Sequence, residues 1–224
     1  LLENNEFKDD FIQRFATYLN TTFKRERVIA MVDSLQNDIA NEMVPHIDRW
    51  DDYPELIYGY PPIPDIPTWN AEVEIMRDFA DRRPQLMKQS MLNFYALSGV
   101  KNLSFNLSIP NSGKIKLSGI EINNGLEGEY FLNVPIRLEA IPKVGYRFVK
   151  WIGVPDSLSN NTFYIPTKED TTFQITAMFE EDNVSILPSI LTSNTNLNIA
   201  DSPYYANGDV VVSSGVVLTV EPGV

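Results

Sequence analysis

The residues best suited to chemistry are one histidine, His46, and three groups of carboxylates: Asp9-Asp10, Asp51-Asp52, and Glu72, Glu74, Asp78 and Asp81. A general base needs a nucleophile or an orienting acid beside it. Asp33, Asp48 and Asp51 are the acids that could serve His46, but spacing alone does not bring them to it. The ordinary reading is a packed, hydrogen-bonded histidine next to Trp50. One histidine cannot make a zinc site without three other ligands, and the chain has no cysteine to supply them. The carboxylates could take Mg²⁺ or Ca²⁺. Glu74 and Asp78 share a helix face at i,i+4, with Arg77, Arg82 and Arg83 close enough to neutralise them. Solvated charge is therefore the favoured reading, and no D-x-[DN]-x-[DN]-G loop or G-x-S-x-G elbow is present. No catalytic, cofactor-binding or metal-binding residue is assigned.

The elements that would position these groups start with Arg27–Trp50. Val28, Val32, Leu35, Ile39, Met43, Ile47 and Trp50 recur every three or four residues, which predicts one apolar stripe on a long helix. Leu35 and Ile39 are expected in its core. Pro45 is expected to kink this helix or start a new segment. Before it, Phe11, Phe15, Leu19 and Phe23 predict a helix over about 9–23, capped by Asp9 or Asp10. A Lys24–Arg27 turn would make the two an antiparallel pair. Prolines at 61, 62, 64 and 67 predict a stiff extended excursion, with an SH3-type ligand as the sharper alternative. Thr68 should cap a further helix that ends at Arg83, and Pro84 should begin another.

These helical residues resemble the C-terminal end of the CotH family. The matches are Asn4, Phe7, Phe11, Arg14–Ala16, Leu19–Phe23, Arg27, Val28, Asp33–Leu35, Ile39, Glu42, Met43, His46, Ile47, Arg49 and Trp50. They continue at Trp69, Phe79, Ala80 and Arg82–Pro84. The resemblance implies a secreted or spore-coat protein with an atypical kinase-like fold, whose active members transfer phosphate from ATP to serines of surface proteins. It places His46, Arg49, Trp50 and Arg83 as family-motif residues, with structural roles favoured. It also implies that ATP and Mg²⁺ are cofactors of the whole parent, not of this piece. Phosphoryl transfer needs a phosphate-cradling loop, a phosphate-pairing lysine, metal carboxylates and a base. In the family those parts lie upstream, and no G-x-x-x-x-G-K-[ST] or G-x-G-x-x-G occurs here.

After Ser98-Gly99 the period changes to short apolar bursts bounded by Gly, Pro and Asn. Strands are predicted at 103–109, 113–117, 135–141, 147–151, 162–165 and 173–179. The run G-x-I…G-E-Y-F…V-P-I-R-L-E-A-I-P-x-x-G-Y-R-F-V-x-W…A-M-F resembles the divergent bacterial repeat related to internalin B-repeats. That implies a spacer or adhesive β module. Tyr146, Phe148 and Trp151 are expected in its core, a carbohydrate-binding platform being the sharper alternative. Residues 191–224 look like the first coil of a right-handed parallel β-helix lacking the next coil.

The expected architecture is α+β and multidomain: a helical end of a kinase-like domain (1–98), a small all-β repeat (99–181) and a β-rich tail (182–224). Residues 99–101 would be an exposed joint. Net charge is −12 over 224 residues and no segment is basic, which disfavours nucleic acid and anionic membrane as partners. No apolar run reaches the roughly 18 residues of a membrane span. The absent signal peptide and the abrupt last residues suggest an internal piece of a longer protein. Five N-x-[ST] sequons are too few above chance to assign glycosylation. The expected setting is bacterial, extracellular or at the cell surface, with exported protein substrates or surface ligands as partners. The fragment alone is expected to be inactive. The alternative is a non-enzymatic adhesion or scaffold protein with a degenerate kinase-like domain.

Overall fold

The structure is a computed structural model that describes residues 3–50, 63–154, 162–165, 173–182 and 184–224. Three helices lead: α1 (Asn5–Asn20), α2 (Arg25–Trp50) and α3 (Ile66–Phe94). Eight strands follow: β1 (Val100–Leu107), β2 (Gly113–Leu117), β3 (Ile120–Ile122), β4 (Leu126–Phe131), β5 (Ile136–Pro142), β6 (Tyr146–Ile152), β7 (Thr162–Ile165) and β8 (Phe173–Glu181). Six short strands complete the chain: β9 (Ser185–Leu187), β10 (Ile190–Leu191), β11 (Thr195–Leu197), β12 (Tyr204–Ala206), β13 (Val211–Val212) and β14 (Leu218–Val220). An N-terminal helical portion followed by strand-rich modules is the order the sequence patterns imply.

The chain forms two compact units. The first takes residues 1–101 together with Glu129–Val134, and the second takes the rest. In the first unit α2 pairs with α3, not with α1 as the short turn suggested. Val32, Met43 and Ile47 of α2 pack on Trp69 and Val73 of α3, with Ile63 and Ile66 at the margin. Polar contacts fix the antiparallel register: Gln36 to Asn70 at 2.8 Å, Arg77 to Asp33 at 2.8 Å, and Arg25 to Asp81.

Several helix ends differ from the expectation. Asn4, not Asp9 or Asp10, caps α1, its side chain accepting from the Phe7 N–H. Helix α2 continues through Pro45 to Trp50. Helix α3 is capped three residues before Thr68, by Asp65, and runs from Ile66 unbroken through Pro84. The residue-before-proline preference at Arg83 is thus outweighed by burial of Ala80 and Met91 on either side of it. The Asp65 carboxylate is held below its usual range by hydrogen bonds from the Thr68 side chain and backbone N–H.

The strands up to β8 form two four-stranded sheets with the orders β4-β1-β8-β6 and β3-β2-β5-β7, Glu129–Phe131 of β4 belonging to the first unit. Strand β1 runs parallel to β8, while β6–β8, β2–β3, β2–β5 and β5–β7 are antiparallel. Alternate residues fill the core: Leu103 and Phe105, Ile115 and Leu117, Ile136, Leu138 and Ala140, and Ile175, Ala177 and Phe179. Gly113 of β2 lies where a Cβ would come within 2.7 Å of the Phe179 ring of β8, so the sheets meet there with no room for a side chain. Trp151 is buried, as expected of a core aromatic, while Tyr146 and Phe148 are only half-buried, the Phe148 ring lying 5.5 Å from that of Trp151. Strands β3 and β4 were not anticipated. Beyond the sandwich, β9, β10 and β11 each pair in parallel with the strand three places on: β12, β13 and β14.

Candidate functional site

Among the described residues, the groups suited to chemistry do not gather into a cluster that could hold a metal ion. His46 is exposed, a correction to the packed histidine expected beside Trp50. On α2 it sits one position before the buried Ile47, so its ring projects off the core row. The Arg49 guanidinium lies over the Trp50 ring at 5.1 Å, and that of Arg83 over the Phe79 ring at 5.4 Å. Both are cation–π contacts at exposed positions, each contributing about 0.5–1 kcal/mol.

Three of the four α3 carboxylates, Glu74, Asp78 and Asp81, are engaged by arginines. Glu74 meets Arg77 at 3.1 Å, Asp78 meets Arg82, and Asp81 meets Arg25. Among the described residues no group of three or more His, Asp or Glu side chains could hold a metal ion. Asp51 and Asp52 lie outside the described residues. Burial raises the pKa of Asp9, against the opposing field of Lys8.

Leu35 and Ile39 are not in the core, as the stripe predicted, but 56% and 48% exposed. The stripe is wider than one contact face. At roughly 100° per residue, Met31, Leu35 and Ile39 fall to one rotational side of the Val32–Met43–Ile47 row. Ile75, Phe79 and Leu86, also exposed, fall to the same rotational side of Trp69–Val73–Ala80. Because α2 and α3 run antiparallel, those sides coincide on one open apolar face of the pair.

A second feature was not recognised in the sequence. Helix α1 buries two polar side chains completely, Gln13 and Thr17. Gln13 Nε2 donates to the carbonyls of Phe131 (2.8 Å) and Val134 (2.6 Å), and its Oε1 accepts from the Phe131 N–H at 3.2 Å. One helical repeat on, Asn20 Nδ2 donates to the Glu129 carbonyl (2.8 Å) and Oδ1 accepts from the Glu129 N–H (3.3 Å). The readable signal was Gln13, Thr17 and Asn20 at spacings of four and three beside the apolar Ile12 and Ala16.

On the sandwich, Lys114, Lys116, Lys143 and Glu121 edge an open groove of about 670 Å³. Lys114 pairs with Glu121 at 2.8 Å. Lys116 stands opposite Glu121 on β3 and Glu139 on β5. Lys114 and Lys116 are thus matched by acids on neighbouring strands, as on a solvated sheet face.

A short helical unit with one apolar side open, followed by a two-sheet β module, defines a helical segment joined to a repeat-type sandwich. Residues 1–87 match the family model described as CotH kinase protein, and residues 118–183 match the divergent InlB B-repeat domain. Residues 1–87 are thus similar to the CotH family and residues 118–183 to the InlB-type repeat, in the order the motifs implied. No curated protein and no solved structure matches it. Among the described residues no helix is long and apolar enough to cross a membrane.

Proposed function

We propose that this chain is the helical end of a CotH-type kinase domain carrying surface-exposed β modules. The parent transfers phosphate from ATP to serines of exported proteins, with Mg²⁺ neutralising the transferring charge. The observation that carries this reading is the open apolar face of α2 and α3. Met31, Leu35, Ile39, Ile75, Phe79 and Leu86 all lie within the CotH match, and each is more than 45% exposed. Contiguous exposed apolar patches mark surfaces that are covered in the working protein. The remainder of the same domain, bearing the phosphate loop, lysine and metal carboxylates, is the cover that accounts for it.

Three lines of support bear on the rest. Glu74, Asp78 and Asp81 of α3 are already paired with arginine, and among the described residues no group of three or more His, Asp or Glu could hold a metal ion, which supports a nucleotide site elsewhere in the parent. The repeat is of a kind that spaces or presents domains at bacterial surfaces. The parallel pairs β9–β12, β10–β13 and β11–β14 fit two stacked coils at the start of a parallel β-helix, an elongated surface architecture.

The test is calorimetry of ATP in millimolar Mg²⁺ with this chain and with the longer parent. No binding is expected for the chain, and binding is expected for the parent. A dissociation constant near or below about 100 μM for the chain, roughly −5.5 kcal/mol, would place the nucleotide site within these residues. A parent that binds no ATP overturns the kinase reading and leaves a surface scaffold.

A further inference from the structure

Among the described residues β4 is an edge strand: β1 lies on one side of it and no described strand on the other. An uncovered edge presents N–H and C=O groups that invite pairing with another chain. Here the outer groups of Glu129 and Phe131 are taken up by side chains of α1. Asn20 bonds both the N–H and the C=O of Glu129, and Gln13 bonds both the N–H and the C=O of Phe131. Residues two apart on a strand direct these groups to the same edge. The two amides therefore meet β4 as a neighbouring strand would, one donor and one acceptor per alternate residue.

We infer that α1 is an edge-capping element that recognises an extended segment through its main chain, and that Glu129–Val134 is an integral part of the CotH-type helical unit. The family matches divide these residues differently: the segment lies inside the repeat match at 118–183, outside the CotH match at 1–87. Contacts around it reinforce the assignment to the first unit. Lys88 of α3 pairs with Glu129, the Asn133 amide donates to Ser98 Oγ at 2.8 Å, and the Leu132 N–H donates to the Gly99 carbonyl at 2.9 Å. Tyr130, Phe131, Leu132 and Val134 are all buried. The kind of partner this α1 surface fits is a β-strand edge, because Gln13 and Asn20 bond the backbone of Glu129, Phe131 and Val134, while the Asn20 side chain also acts on the Tyr130 hydroxyl. This stands whether or not the parent transfers phosphate.

The experiment is residue-resolved amide exchange on the full 224-residue chain, comparing wild type with Asn20→Ala, Gln13→Ala and the double variant. Glu129 and Phe131 amides should exchange at least about tenfold faster, the first in Asn20→Ala and the second in Gln13→Ala. Amides of α2 and β5 should keep their protection. Should the double variant not fold, the half-buried Asn20 makes its single variant the deciding one. Unchanged exchange at Glu129 in Asn20→Ala would overturn the inference. So would a uniform rise across all elements in that variant, which would mark a general loss of stability with no role at the edge.

Discussion

Gln13 and Phe131 stand 118 positions apart in sequence and share two hydrogen bonds, one in each direction. A fully buried amide is tolerated only if its donors and acceptor are satisfied. Here the acceptor and one donor bond go to Phe131 at the open edge of β4, and the other donor bond goes to the Val134 carbonyl beyond the strand. The helix thus gains partners for its buried amide, and the strand gains cover for its edge. Removing the amide would strand the Phe131 N–H in a buried site, at about 1–3 kcal/mol for such a group.

Tyr130, between the two gripped residues, makes the same region sensitive to alkali. Burial pushes its phenol from the ordinary 10.0 up to about 12, against smaller opposing effects of the Thr17 and Asn20 side chains. The folded pKa is raised, so the neutral phenol favours the fold below pH 10. That contribution falls away as the pH rises from about 10 to about 12, because the unfolded chain ionises first. Stability should drop by roughly 2–3 kcal/mol across that window. Urea melts at stepped pH check it, and Tyr130→Phe should flatten the slope. An equal slope in the variant would assign the effect to other tyrosines.

The contact faces of α2 and α3 separate two kinds of apolar residue on the same helices. Trp69→Ala should cost about 3–5 kcal/mol, since it empties a buried site packed on Val32, Met43 and Ile47. Leu35→Ala, at 56% exposure, should change the stability of this chain by less than about 1 kcal/mol. Thermal or urea denaturation of both variants gives the comparison. Equal losses would mean that Leu35 is packed in solution.

Much of the fold was readable from local pattern, and its failures have physical causes. The strands at 113–117 and 162–165 were placed to the residue, because Gly, Pro and Asn bracket short apolar bursts. Helix α3 was split at Pro84 because a local preference was allowed to decide what tertiary burial decides. The α2 stripe predicted burial for Leu35 and Ile39, yet periodicity shows that a face is apolar without showing what covers it. The grip of Gln13 and Asn20 on β4 had only a faint signal. A polar residue at helical spacing reads as a solvent face until the strand that meets it is known. His46, Arg49, Trp50 and Arg83 were legible as motif residues, while their surroundings were not.

Glycines 153 and 125 give a matched pair for the sandwich. Both have positive φ, +83° and +80°, so alanine is strained at either. A Cβ at Gly153 would also lie 2.0 Å from the Gln174 carbonyl oxygen, while one at Gly125 meets nothing within 4 Å. Gly125→Ala should therefore cost about 1 kcal/mol, and Gly153→Ala clearly more, with β6 and β8 forced apart. Denaturation midpoints of the two variants decide it. Similar midpoints would show that the β6–β8 end relaxes freely.

The tail gives the last prediction. Leu191 and Leu197 are its buried side chains, at 3% and 5% exposure, on strands paired in parallel with Val211–Val212 and Leu218–Val220. The pairing is reinforced outside the ladder. The Glu221 N–H donates to the Leu197 carbonyl at 2.9 Å, the Val217 N–H to Asn194 Oδ1 at 2.8 Å, and the Asn196 amide to the Glu221 carboxylate at 2.8 Å. With so few apolar side chains inside, each carries a large share of the local stability. Leu197→Asp places an unpaired carboxylate in that interior, which is costly however the pKa responds. Amide exchange should quicken at Thr195, Val217 and Glu221, while Phe105, Leu138 and Ala177 in the sandwich keep their protection. If protection in the tail survives the aspartate, its strands are held by the hydrogen-bond ladder and not by the two leucines.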